Sequence, residues 1–77
     1  MKFLEKLKKS IWEIENQKFP VEEMIGVNST FQRFRFQFGC NIEDQLKTNG
    51  WKKYDETTNL HYFKHESCDF EIVCDKE

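Results

Sequence analysis

A chain of 77 residues has the length of one domain, residues 1–77, and its twelve Phe, Trp and Tyr side chains can supply a core without metal or disulfide. The formal net charge of −2 argues against a generic binder of nucleic acid or anionic membranes, which carries excess positive charge. No run approaches the roughly 20 apolar residues of a membrane span.

The charge is uneven. Residues 1–18 set five Lys against three Glu, whereas residues 51–77 set four Lys against seven acids. Cys40, Cys68 and Cys74 are an odd count without a signal-peptide core before them, which fits a reducing, cytoplasmic setting.

Leu4, Leu7, Ile11 and Ile14 recur at three- and four-residue spacing and predict a helix over 2–18, with Phe3 extending its apolar stripe. Trp12 falls more than about 90° from that stripe. It either packs beneath a neighbouring loop or stands out as an anchor for a partner protein. Pro20 is expected to end the helix and to open a short turn at Val21-Glu22-Glu23. Met24 to Val27 then forms the end of that turn or a first strand. Asn28-Ser29-Thr30 has the composition of a tight turn.

Phe31 to Phe38 reads Phe-Gln-Arg-Phe-Arg-Phe-Gln-Phe. In a strand, Phe34, Phe36 and Phe38 share one face, and Arg33, Arg35 and Gln37 share the other. The Phe face is expected to be core. If this strand lies at a sheet edge, its arginines resist pairing with a second copy. Asn41 is a candidate N-cap for a short helix over Ile42–Lys47, stopped by Asn49-Gly50.

Three further strands are expected: Trp51–Tyr54, Asn59–His65 and Cys68–Cys74, the first two joined by a polar loop at Asp55-Glu56-Thr57-Thr58. In the last, Cys68, Phe70, Ile72 and Cys74 oppose Asp69, Glu71, Val73 and Asp75. The fold expected is a small α+β domain of order α-β-β-α-β-β-β. An antiparallel sheet of about four to five strands would carry a long N-terminal helix and a short second helix on one face.

Several constellations could carry chemistry. His61, His65, Cys68 and Cys74 are zinc-type ligands, but His61 and His65 lie roughly 13 Å apart along one extended strand. No metal or other cofactor is therefore expected. Nucleic-acid binding by the aromatic strand would require its phenylalanines exposed, which would strip the core. Glu22-Glu23 and Asp55-Glu56 are adjacent pairs without general acid/base spacing. No glycine-rich loop or nucleophile elbow is present, so neither enzyme activity nor a small-molecule substrate is expected.

A short helix is followed by Asn49-Gly50-Trp51, a strand, a loop, and a second strand containing Leu60-His61-Tyr62. This arrangement resembles the HicA toxins, small ribonucleases of bacterial toxin–antitoxin pairs. The resemblance covers under half of the chain. It implies that His61, early in the second strand, would be the catalytic residue and that RNA would be the substrate.

The leading expectation is a non-enzymatic module that inhibits or regulates a larger partner protein. Its size and Lys/Asn/Phe-rich composition suit a phage or mobile element by analogy. The expected partner-binding residues are Trp12, Arg33, Arg35, Asp55, Glu56 and Glu71. The acids among them, with Glu66, Asp69 and Asp75, would allow a nucleic-acid mimic as a subclass. The alternative is a HicA-like ribonuclease using His61.

Overall fold

The computed structural model describes residues 2–30 and 33–77. The first helix, α1, spans Lys2–Asn16. Its stripe turns Ile14 fully inward and rests Leu7 and Ile11 against the core. It ends before Pro20, because Lys18 takes a left-handed conformation with φ 68°. The Phe19 amide bonds the Ile14 carbonyl at 3.2 Å and the Lys18 amide bonds that of Glu15 at 2.9 Å, the paired bonds of a Schellman stop. That reversal drops Phe19 into the core.

A lysine in this conformation carries a steric cost that glycine avoids. Lys18→Gly is therefore expected to stabilise the protein by about 0.5–1 kcal/mol, the steric relief less the entropy of glycine. Its thermal midpoint should rise by roughly 2–8 °C. An unchanged or lowered midpoint would mean that Lys18 bears no such cost.

A 3-10 turn at Val21–Glu23 packs on α1, and a second at Cys40–Ile42 leads into α2, Glu43–Thr48. Asn41 lies inside the second turn and does not cap α2. Gly39 is the extended residue there, so Asn41 lacks the extended backbone of an N-cap. Its side-chain amide donates instead to Glu23 Oε1 at 3.1 Å.

The predicted stop at Asn49-Gly50 is present. Gly50 has φ 88°, its amide bonds the Lys47 carbonyl at 3.2 Å, and the Trp51 amide bonds that of Leu46 at 3.0 Å. Leu46 and Trp51 then meet in the core, the apolar contact that accompanies a Schellman motif. The two helix ends dock on each other. Gln45 Nε2 donates to the Lys18 carbonyl at 2.8 Å, and Trp51 Nε1 donates to Gln17 Oε1 at 2.8 Å.

Among the described residues, five strands follow the predicted order: β1 Gly26–Thr30, β2 Arg33–Phe38, β3 Lys52–Glu56, β4 Leu60–Lys64 and β5 Glu71–Asp75. In space they run β1-β2-β5-β4-β3. The sheet is mixed: three pairings are antiparallel, but β2 and β5 run parallel. Two parallel neighbours need a crossover, and here α2 with the β3–β4 hairpin supplies it. Strand β2 is thus interior, and the free edges belong to β1 and β3.

Asn28-Ser29-Thr30 belong to β1, not to a turn: Asn28 pairs with Arg35, Ser29 with Phe34 and Thr30 with Arg33. Polar residues suit an exposed edge strand as well as they suit a turn. Phe31 and Gln32, the start of the predicted aromatic strand, lie outside the described residues. Asp55 and Glu56 continue β3 past a register shift between Lys53 and Asp55, rather than opening the loop.

Both helices cover one face of the sheet. Phe34, Phe36 and Phe38 pack there with Ile72, Cys74 and Phe63 from the sheet and Ile14, Ile42 and Leu46 from the helical layer. A run of rings links the layers: Phe34 to Phe36 at 6.1 Å between centroids, Phe36 to Phe70 at 5.4 Å, and Phe70 to Trp51 at 5.6 Å. Among the described residues no helix is long and apolar enough to cross a membrane.

Candidate binding surfaces

The helix-free face of the sheet is built from side chains that alternate with the core. Arg33 and Arg35 project there from β2, and the parallel pairing sets Arg35 beside Glu71. Arg33 Nη1 donates to Glu71 Oε2 at 3.1 Å and Arg35 Nε to Oε1 at 3.2 Å. The register shift in β3 turns Tyr54 onto the same face, where its hydroxyl donates to Glu71 Oε1 at 2.6 Å. The Arg35 guanidinium stacks 4.9 Å from the Tyr62 ring centre and the Lys64 ammonium 5.1 Å from that of Tyr54.

Glu71, grouped with the surface acids in the sequence, is only 7 % exposed. Burial pushes its carboxyl upward, but the hydrogen bonds from Tyr54, Arg33 and Arg35 outweigh that and hold it below the usual range. Burial, and then the Glu71 carboxylate, push the Tyr54 phenol up to about 12. Val73, between Gln37 and Tyr62 in register, is also buried, so β5 is covered on both faces.

Three of the six residues expected to meet a partner are thus brought together: Arg33, Arg35 and Glu71. Asp55 is exposed on β3, and Glu56 is held by Lys53 at 2.9 Å and Lys76 at 3.2 Å, which lower its carboxyl to about 2. Trp12 lies elsewhere, on the outward side of α1, with 59 % of its surface exposed. No loop covers it to that extent.

Tyr54, Tyr62 and Lys64 are not among the binding residues expected from the sequence. Tyr62 and Lys64 were legible as one face of an alternating strand. Tyr54 was not, because the register shift that turns it depends on pairing with β4.

A second surface is apolar. Phe3, Leu4, Ile25 and Val27 are exposed alongside Trp12. Lys6, Lys9, Ser10 and Glu13 line a polar cleft with Ser67 and Asp69. Val27 pairs with Phe36 and so lies on the helix-bearing face. The Phe3 ring sits 5.0 Å from that of Phe34.

His61 also lies on the helix-bearing face. Its Nδ1 is 3.0 Å from Glu43 Oε1 and its Nε2 is 3.9 Å from Glu56 Oε1. The hydrogen bond with His61 outweighs burial in holding the Glu43 carboxyl below its usual range. His65 is apart from this group, its ring 5.4 Å from that of Trp51. Cys68 accepts from Gln17 Nε2 at 3.7 Å. Burial raises the thiols of Cys68 and Cys74, the latter to about 12, and all three cysteines are free. Among the described residues no group of three His, Cys, Asp or Glu side chains could hold a metal ion.

Comparison of the chain with protein-family models, with curated proteins and with solved structures finds no match.

Proposed function

We propose that this chain is a non-enzymatic, cytoplasmic protein-binding module that inhibits or regulates a larger partner protein, in keeping with a phage or mobile-element origin. The observation that carries this reading is the exposure of large apolar side chains on α1 and around β1, Phe3, Leu4, Trp12, Ile25 and Val27, with Trp12 the most exposed. A protruding Trp is among the side chains most enriched at the anchors of protein interfaces.

The two sheet edges differ in how they resist pairing. Strand β3 carries Lys52, Lys53, Asp55 and Glu56 and a register shift, devices that discourage edge pairing. Strand β1, Gly-Val-Asn-Ser-Thr, carries no charge at all. Strand β1 is therefore the less defended of the two edges.

The test is affinity capture from host lysate with the partner read by mass spectrometry. Trp12→Ala combined with Leu4→Ser is expected to weaken capture roughly 30-fold, the scale of a hot-spot loss. The thermal midpoint should hold, since both residues are exposed. Undiminished capture would place the interface away from α1.

A second reading, a HicA-like ribonuclease, draws on the Glu43 carboxylate beside His61 Nδ1, which would orient the ring. Against it, Nε2 faces the Glu56 carboxylate, which would repel a phosphate. Cleavage of cellular RNA that disappears in His61→Ala would establish this second reading in place of the first.

A further inference from the structure

The helix-free face concentrates positive charge that the chain as a whole lacks. Arg33, Arg35, Lys52 and Lys64 lie at the end of the face that holds the Glu71 carboxylate, four cations to one anion there, while Asp55 and Asp75 bring the whole face to an excess of one positive charge in a chain of net charge −2. Glu71 does not exhaust its neighbours. Arg33 donates to it through one terminal nitrogen and Arg35 through Nε, so neither guanidinium spends all of its N–H groups on Glu71. Lys52 and Lys64 form no ion pair among the described residues. They pair with each other across β3 and β4, like charges side by side. Such an arrangement is stabilised by a bound polyanion.

Two rings lie in the same patch, Tyr54 and Tyr62, at 6.2 Å between centroids. Tyr54 is 40 % exposed. Phe34, Phe36 and Phe38 are needed in the core and cannot stack on bases. These tyrosines come from other strands and face away from the core, so stacking on them leaves the core intact.

We propose that this face binds single-stranded nucleic acid, with Tyr54 stacking on a base and Arg33, Arg35, Lys52 and Lys64 holding the adjacent phosphates. A sheet face carries no projecting helix to enter a duplex groove, whereas an exposed ring stacks on an unpaired base. Asp75, which accepts from Gln37 at 2.6 Å, makes the far end of the face acidic, and Asp55, beside Tyr62 in register, bounds the basic patch, which together confine the footprint to a few nucleotides.

Fluorescence anisotropy with labelled dT12 and U12 tests this, the two probes separating DNA from RNA. Saturable binding is expected at about 50 mM salt, weakening roughly 20-fold by about 200 mM, as three neutralised phosphates require. Tyr54→Leu should weaken it about 10-fold. Lys52→Glu with Lys64→Glu should weaken it at least as much, whereas the charge-matched Lys8→Glu with Lys9→Glu on α1 should leave it unchanged. Thermal melts of each variant separate lost binding from lost fold. Absence of saturable binding, equal loss from both lysine pairs, or competition by polyglutamate as effective as by unlabelled dT12 would each overturn the proposal.

Discussion

Phe36→Ala is expected to remove about 3–5 kcal/mol, the cost of deleting a large side chain from a closed core. Phe36 has no exposed surface and sits between the rings of Phe34 and Phe70. A domain of this size holds only roughly 4–12 kcal/mol of stability in total. The substitution therefore removes a large share, and the thermal midpoint followed by circular dichroism should fall by about 12 °C or more. Phe3→Ala makes the informative comparison. Its ring also touches Phe34 but is mostly exposed, so about 1 kcal/mol is the upper expectation. Equal losses at the two positions would mean that the ring run from Phe34 to Trp51 is not the centre of the core.

The second large effect belongs to Glu71. Its folded-state carboxyl titrates below its unfolded value, so the stability it contributes is present above the unfolded pKa of about 4.3. That contribution is lost as pH falls through the folded value. Glu71→Gln should therefore melt below the native protein at pH 7, by about 1–2 kcal/mol. The figure is held down because Arg33 is half-exposed and screened by water. On acidification below about pH 4 the two melting curves should converge, since the protonated carboxyl and the amide are then both neutral. Glu43 and Glu56 shift in the same direction and give the whole protein acid sensitivity, but they are common to both forms and cancel in the difference. A gap that stayed constant from pH 7 to pH 3 would show that Glu71 acts by packing rather than by charge.

Much of this fold is legible locally. The alternation in Phe34–Phe38 reports its own faces, because backbone geometry alone sets a period of two. Gly50 announces its stop because only a residue tolerant of positive φ closes that motif cheaply. Lys18 performs the same task at the end of α1 with no signal in its residue type, and Pro20 drew the attention instead. Asn28-Ser29-Thr30 misled because turn and edge strand favour the same polar residues.

The candidate surfaces divide the same way. Trp12 could be singled out from its angle on the helix, a property of α1 by itself. Its exposure could not, since that depends on what the neighbouring loops do not cover.

By itself, then, the sequence determined the order of elements, the two-faced aromatic strand and the helical stripe that meets it, because each follows from repeat spacing within one segment. Only the tertiary structure decided that β5 lies beside β2 in parallel, which depends on how a crossover of more than thirty residues returns. That one neighbour relation buries Glu71 between Arg33 and Arg35. The register shift against β4 then adds Tyr54 and turns a pair of solvated arginines into a basic, aromatic surface.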